Sequence, residues 1–202
     1  MSADLDSLLA QIRDCRHCEA HLPLGPRPVL RANQAARLLV IGQAPGTRVH
    51  ATGIPWNDPS GVRLRAWLGI DEQHFYDGAR VAIVPMGFCY PGRHARGGDL
   101  PPRPECAPLW HDRLLASMPN VELVLLVGSY AVSRYLGSKG PLMPVVRAAD
   151  PAKDRFVPLP HPSPRNQNLF KRHPWLEAEL LPRLRVRLRA MGVAVPVTVT
   201  RP

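Results

Sequence analysis

The sequence contains no apolar run that approaches the roughly 18 residues needed for a membrane-spanning helix. We therefore expect a protein without a membrane-spanning segment. The first 15 residues, MSADLDSLLAQIRDC, also lack the basic start and the apolar stretch of a signal peptide. These two absences together predict a cytoplasmic protein.

Lysine and acidic residues are both scarce, and arginine supplies most of the charge. The chain of 202 residues has 26 Lys and Arg against 16 Asp and Glu, which gives a formal net charge of +10. Only Lys139, Lys153 and Lys171 are lysines. Because the planar guanidinium binds phosphate bidentately and stays charged at any cellular pH, this excess predicts a nucleic-acid partner. A genome rich in GC codons is the alternative explanation.

Cysteine is also rare, with only Cys15, Cys18, Cys89 and Cys106 in the chain. Disulfides seldom form in the cytoplasm, so these residues are not expected to pair. The first two form a C-x2-C pair, and the set of four has no surplus member, which is typical of a metal site. Thiolates bind both zinc and iron–sulfur clusters, so the spacing leaves both open. The alternative is four unrelated buried cysteines.

Four short apolar runs alternate with helical patterns along the chain. The apolar runs, typical of buried strands, are residues 37–42, 81–86, 121–128 and 155–160, and the helical patterns are residues 4–14, 60–70, 104–118, 129–137 and 173–191. This alternation predicts an α/β fold with three layers (α/β/α) around a central four-stranded parallel sheet. We expect residues 1–202 to form a single domain. Asp4 and Ser60 are expected to cap the first two helices, and Pro182 to kink the last.

Residues suited to binding or chemistry follow each predicted strand. They are Gly42-Gln43-Ala44-Pro45-Gly46 after the first, Phe88-Cys89 after the second, Gly128-Ser129 after the third, and His161-Pro162-Ser163-Pro164 after the fourth. In open parallel sheets the ligand binds at the carboxyl ends of the strands. The four segments are therefore expected to converge on one rim and to form a binding site there.

Five short motifs follow one another along the chain. They are Ile41-Gly42-Gln43-Ala44-Pro45-Gly46, then Gly53-Ile54-Pro55-Trp56 before Ser60-Gly61, then Cys89-Tyr90-Pro91-Gly92 with Pro104-Glu105-Cys106, then Leu126-Val127-Gly128-Ser129-Tyr130-Ala131, and His161-Pro162-Ser163-Pro164. In this order they resemble the motifs of the iron–sulfur uracil-DNA glycosylases, the family 4 branch of the uracil-DNA glycosylase superfamily. The resemblance extends from Cys15 to Asn166, about three quarters of the chain. Each motif is short, and the resemblance depends on their order and on the full set of cysteines.

The resemblance implies a DNA-repair enzyme. Such an enzyme flips uracil, or another deaminated base, out of DNA and hydrolyses its N-glycosidic bond to leave an abasic site. It also implies a four-iron, four-sulfur cluster, and the cysteines that would hold it are Cys15, Cys18, Cys89 and Cys106. Zinc is the alternative metal.

The resemblance, together with the chemistry of the reaction, also assigns contacts with the flipped base. His161 is expected to donate a hydrogen bond to the carbonyl oxygen of the leaving base, and Trp56 is expected to stack on the base. The backbone of Gly42 and Ala44 suits a close approach to it. The further candidates for base binding, both in the loop that follows His161, are Ser163 and Asn166.

The chain departs from the family at two positions. Gln43 stands where the family has a glutamate that orients or activates water; an amide cannot accept a proton, but it can place a water by hydrogen bonds. The nearby carboxylate of Asp58 is the candidate to take over this role, with capping of a helix as its alternative. Pro85 stands where relatives often have an asparagine that reads the base, which leaves the identity of the excised base open.

A basic, glycine-rich loop at residues 92–99 is predicted to contact DNA. Arg93 and Arg96 in this loop, and Arg165 beside the His161 motif, are the expected phosphate ligands. His94 loosely matches a histidine that reacts covalently in one relative, although contact with DNA is the expected role of this loop.

The sequence leaves two other functions open. One is a DNA-binding module of the same fold that keeps the cluster but has lost catalysis, because Gln43 replaces the glutamate of the family. The retention of His161 and Trp56 argues against it, because a protein that only binds DNA needs neither. The other is a zinc-stabilised nucleotide-binding protein of similar topology. The sequence has no obvious interface signature, which predicts a monomer.

Overall fold

The computed structural model describes residues 2–95 and 97–194. The centre of this part of the chain is a sheet of four parallel strands in the order β2-β1-β3-β4. The strands are β1 (Leu38–Ile41), β2 (Val81–Ile83), β3 (Leu123–Val127) and β4 (Phe156–Leu159). Leu38 of β1 lies opposite both Val81 of β2 and Leu123 of β3. The predicted four-stranded parallel sheet is confirmed.

The strands form from continuous apolar runs because a parallel sheet is covered on both faces and needs no polar side. Almost every strand residue is buried, with only Phe156 partly exposed. The observed strands lie inside the predicted ranges. The largest difference is in β2, which ends before Pro85, a residue with no N–H for the strand ladder.

Helices connect the strands and cover both faces of the sheet. They are α1 (Ser2–Arg13), α2 (Thr47–Thr52), α3 (Pro59–Leu68), α4 (Glu72–Phe75), α5 (Cys106–Ala116), α6 (Ser129–Leu136), α7 (Leu142–Ala148), α8 (Gln167–Arg172) and α9 (Leu181–Ala190). Short 3-10 turns lie at Glu19–His21 and Pro164–Asn166. None of the helices among the described residues is long and apolar enough to cross a membrane.

The alternation of side chains along β1 shows the three layers. Leu38 and Val40 belong to one buried cluster with side chains of α3, α7 and α9. Leu39 and Ile41 belong to a second cluster, with side chains of α1, α5 and α6. Each fully buried leucine or isoleucine stabilises the fold by about 1.5–3 kcal/mol. The α/β/α layers predicted from the sequence are therefore present.

The starts of two helices differ from the prediction. Asp58, not Ser60, caps α3: its Oδ1 accepts a hydrogen bond from the backbone N of Gly61 at 2.8 Å. Pro59 then occupies the first turn, where the absence of an N–H costs nothing. Asp4 lies within the first turn of α1 rather than before it, where its charge still favours the helix dipole.

The C-terminal helical region is interrupted rather than simply kinked. A π-helical turn occupies Leu176–Leu180, and α9 begins at Leu181. Pro182 is the second residue after this turn, and its missing N–H removes one hydrogen bond of a regular helix. The irregularity predicted at Pro182 is thus present, as a wide turn on the N-terminal side of the proline.

Candidate active site

A cavity of about 290 Å³ opens at the carboxyl end of the sheet. Segments that follow β1, β2 and β4 line it, together with the loop that carries Trp56 and the end of the loop at residues 92–100. The segment after β3 lies behind one wall, since a Cβ atom at Gly128 would be 3.8 Å from the Cβ of His161. The residues of the predicted site that line this cavity are Gly42, Gln43, Ala44, Trp56, Asp58, His161, Ser163 and Arg165.

The indole of Trp56 and the imidazole of His161 form one wall of the cavity. Their ring centroids are 5.4 Å apart and their planes are inclined by 28°, so the rings are stacked. The indole also lies on the backbone of Gly42, where an added Cβ would be 2.8 Å from its Cζ2. Residue 42 therefore has to be glycine for Trp56 to take this position.

The backbone of Trp56 is held in an unusual conformation. Among the described residues other than glycine, Trp56 is the one with a positive φ, +58°. Its carbonyl oxygen lies so close to Gly61 that a Cβ there would be 1.7 Å away. Tyr76 donates its hydroxyl to the carbonyl of Pro55 at 2.9 Å, and Arg65 donates to the carbonyl of Trp56 at 3.3 Å. The sequence analysis missed these two anchors, which lie outside every motif.

The environment of His161 keeps its ring neutral at neutral pH. Burial lowers the pKa of His161 below its ordinary value, because the charged form loses hydration. The carboxylate of Asp58 opposes this shift to a smaller extent. A neutral imidazole still offers one N–H as a hydrogen-bond donor.

The loop that carries His161 is fixed from both sides. Asn166 donates its amide to the carbonyl of His161 at 2.8 Å, and Ser163 Oγ accepts from the backbone N of Arg165 at 3.3 Å. Arg63 of α3 donates to the carbonyl of Ser163 at 3.3 Å. Asn166 lies beside the cavity rather than in its lining, so its contact with a base stays a prediction. The sequence could not predict the role of Arg63, because its partners are backbone carbonyls.

The side chain of Gln43 holds the loop at residues 92–100. Its Nε2 donates to the carbonyl of Leu100 at 3.2 Å. The loop is closed by the backbone hydrogen bond from Leu100 to Gly92, 2.9 Å, and by a bridge between Arg93 and Asp99. Arg93 is exposed and does not line the cavity itself, although its bridge partner Asp99 does. Arg96 lies outside the described residues.

Asp99, at the end of this loop, is a residue of the cavity that the sequence analysis did not identify. The residue is exposed as a whole, while its carboxylate reaches the cavity lining: a Cβ at Gly46 would lie 3.3 Å from Asp99 Oδ2. Partial burial of the carboxylate raises the pKa of Asp99, and the charges of Arg165 and Arg93 oppose this shift. In the sequence Asp99 ended a basic loop, and nothing there indicated that the loop folds back over the turn after β1.

This arrangement of strand-end segments agrees with a comparison against known families. Residues 31–185 match the model of the family described as the uracil DNA glycosylase superfamily. The chain belongs to the uracil DNA glycosylase superfamily. Its members are in general DNA glycosylases, which are hydrolases. Every residue of the cavity named above falls within the matched range, whereas Cys15 and Cys18 precede it.

The four cysteines of this superfamily member line one further cavity. All four are free thiols: Cys15, Cys18, Cys89 and Cys106. Arg103 and Phe88 line the same cavity. Burial raises the pKa of Cys106 to about 12 and that of Cys89 to about 11. Without a metal these two thiols are therefore protonated at neutral pH. Among the described residues, no group of three or more His, Cys, Asp or Glu side chains has the arrangement needed to hold a single metal ion.

The surroundings of these thiols suit thiolate ligands. The backbone N of Phe88 donates to Cys106 Sγ at 3.4 Å. Hydrogen bonds from Arg103 and from the backbone of Arg27 also lower the pKa values of Cys18 and Cys89, although burial outweighs them. The Nε of Arg103 is buried without a hydrogen-bond partner among the described residues. Donors directed at sulfur and an unsatisfied guanidinium N–H are what an anionic group between the cysteines would require.

A buried histidine connects this cysteine site to the cavity. His111 is completely buried, and its Nε2 donates to the carbonyl of Pro85 at 3.0 Å, so its Nδ1 accepts from Tyr135 at 2.7 Å. Burial lowers the pKa of His111 to about 4, which keeps it neutral. Its ring stacks on Phe88, the residue that donates to Cys106. The sequence analysis did not predict this role for His111, because nothing in the local pattern indicated it.

Proposed function

We propose that this protein is a monofunctional DNA-repair glycosylase, which removes uracil or another deaminated base from DNA by hydrolysis. The observation that carries the proposal is the arrangement of His161, Trp56 and the turn of Gly42 and Ala44 around one cavity. At about 290 Å³ this cavity is at the small end of ligand pockets, which range from about 300 to 1,000 Å³. It suits a single base better than a whole cofactor.

The position of the cavity fits a base that has been flipped out of the duplex. Its inner end is formed by the buried residues Val29, Ile83 and Pro85, against which the flat, mostly apolar base would lie. Arg165 lines the cavity, Arg93 pairs with Asp99 of the lining, and both arginines are exposed and available to phosphates. Together with the net charge of +10, they support DNA as the partner. We propose that the protein acts as a monomer.

The proposed reaction breaks the bond between C1′ of the sugar and a ring nitrogen of the base. Negative charge develops on a carbonyl oxygen of the base, and the neutral His161 would stabilise it by donating its N–H. The stacking contact with Trp56 holds the imidazole in one orientation before the base arrives. One N–H of the Gln43 amide donates to the carbonyl of Leu100, and the other N–H and the amide oxygen would help to place the attacking water.

We further propose that the cysteine site holds a four-iron, four-sulfur cluster, with zinc as the alternative. Its ligands would be the thiolates of Cys15, Cys18, Cys89 and Cys106. The four thiols on one cavity and the N–H donors directed at them support this proposal. When bound, the cluster would serve as a structural cross-link between the segment after α1, the segment after β2 and the start of α5.

The experiment that tests the proposed activity uses oligonucleotides with one uracil, hypoxanthine or xanthine, single- and double-stranded. After incubation, alkali cleaves the strand wherever a base has been removed. We expect cleavage by the wild type on at least one substrate and a large loss in His161→Ala. If no substrate is cleaved while DNA binding is intact, the protein is instead a DNA-binding module of the same fold.

A further inference from the structure

We propose that Asp99 is the carboxylate that activates the attacking water and stabilises the positive charge of the sugar in this site. The inference rests on the proposed glycosylase activity and names the group that handles its water. It starts from two facts: the cavity lining contains the carboxylates of Asp58 and Asp99, and the amide of Gln43 cannot accept a proton.

Asp58 is the less suitable of the two carboxylates because it already makes two other interactions. Its Oδ1 accepts the backbone N–H of Gly61 and so caps α3. Its negative charge partly offsets the lowering of the His161 pKa by burial, and His161 is the residue proposed to donate to the base. Protonation of this carboxylate would remove the charge that favours the start of the helix and would weaken the hydrogen bond that caps α3.

Asp99 lies where the sugar of a flipped nucleotide would be. The inner end of the cavity is apolar and buried, so the base enters first and the sugar stays near the mouth. The Asp99 carboxylate reaches the lining from an exposed residue and lies against Gly46, whose missing side chain leaves room for it. Burial raises the pKa of Asp99, and the positive charges of Arg165 and Arg93, the predicted phosphate ligands, oppose this shift.

Gln43 explains how the loop places this carboxylate. Its Nε2–H donates to the carbonyl of Leu100, the residue next to Asp99. A glutamate at position 43 would have no N–H to donate and would put a second negative charge beside the carbonyl. The amide at residue 43 and the carboxylate at residue 99 therefore act as a pair: the first fixes the loop and the second supplies the charge.

The step balances without any further reagent. As the C1′–N bond breaks, its electron pair leaves with the base, and His161 donates a hydrogen bond to the base. The oxygen of a water forms a bond to C1′, and the proton of that water passes to the Asp99 carboxylate. Asp99 then returns the proton to the released base or to solvent. The products are the free base and an abasic sugar.

The test compares wild type with Asp99→Asn, which keeps the shape of the side chain and removes its charge. Asp112→Asn, on the exposed side of α5, is the matched control. The first readout is the single-turnover rate of base release on the best substrate. The second is binding of two uncleavable oligonucleotides: one carries a cationic pyrrolidine in place of the sugar, and the other a neutral tetrahydrofuran.

We expect Asp99→Asn to slow base release by about 10²–10⁴-fold, the range for general base catalysis. We also expect it to lose the wild-type preference for the cationic oligonucleotide while still binding the neutral one. A rate within threefold of wild type, or an unchanged preference, would overturn the role of Asp99 and leave the glycosylase proposal intact. If the wild type itself releases no base and shows no preference for the cation, both proposals fail.

Discussion

The imidazole of His161 stacks on the indole of Trp56, with 5.4 Å between the ring centroids. The two residues are more than a hundred positions apart in the chain, and each comes from a loop that follows a different part of the sheet. Their contact fixes the orientation of the proposed hydrogen-bond donor before any substrate binds. A donor that is already oriented costs no reorganisation when charge develops in the transition state.

The conformation of Trp56 gives the first prediction. In Gly61→Ala the new Cβ would lie 1.7 Å from the carbonyl oxygen of Trp56, so the loop has to move. We expect a loss of about 1–3 kcal/mol in the free energy of unfolding, the cost of overpacking, and base release reduced at least tenfold. Urea denaturation and single-turnover rates check this. Val62→Ala, at an exposed neighbouring position, is the control and should behave as wild type; equal behaviour of both variants would contradict the clash.

The electrostatic pairing of Asp58 with His161 gives a second prediction. The carboxylate favours the charged imidazolium, so Asp58→Asn should lower the pKa of His161 further below its ordinary value. Asparagine is as good a helix cap as aspartate, so stability should change by less than about 1 kcal/mol. An NMR titration of the His161 ring measures the pKa directly. An unchanged or raised pKa would show that the two groups do not interact.

Much of the fold followed from the sequence, because the strands are short continuous apolar runs that alternate with helical patterns. Residues of the site that lie directly after strands, such as Gly42 and His161, were found for the same reason. The side chains that hold them were not. Arg63 and Arg65 act on backbone carbonyls that any residue possesses, so no spacing of side chains reveals the contact. The position of Asp99 in the cavity depends on how a nine-residue loop folds back, and local sequence patterns do not determine this.

His111 gives a third prediction, on stability against pH. Its pKa is about 4 in the folded protein and ordinarily 6.5, so the unfolded chain binds the proton first as pH falls. The stability that the neutral form contributes is complete above pH 6.5 and is lost toward pH 4, by about 1.4 kcal/mol per pH unit. His111→Gln keeps a donor and an acceptor without titrating. The unfolding free energy of this variant, measured with urea at several pH values, should fall less steeply with decreasing pH than that of the wild type. Equal pH dependence in the two proteins would contradict the low pKa of His111.

The cysteine site gives a fourth prediction. Wild-type protein purified without oxygen should be brown and contain about four iron and four sulfide per chain, as expected of a cluster with four thiolate ligands. Cys106→Ser should lose most of the iron, whereas Ser117→Ala at the end of α5 should keep it. Iron, sulfide and zinc analyses provide the measurement. A colourless protein with one zinc per chain would replace the cluster with the alternative metal.

The central claim is that this member of the superfamily breaks an N-glycosidic bond at the cavity formed by His161 and Trp56. The most direct measurement is mass spectrometry of the free base released from a duplex with a single uracil, hypoxanthine or xanthine. We predict release of free base in amounts equal to the abasic sites formed, with a large reduction in His161→Ala and normal DNA binding. No released base from any of these duplexes, with binding intact, would contradict the account.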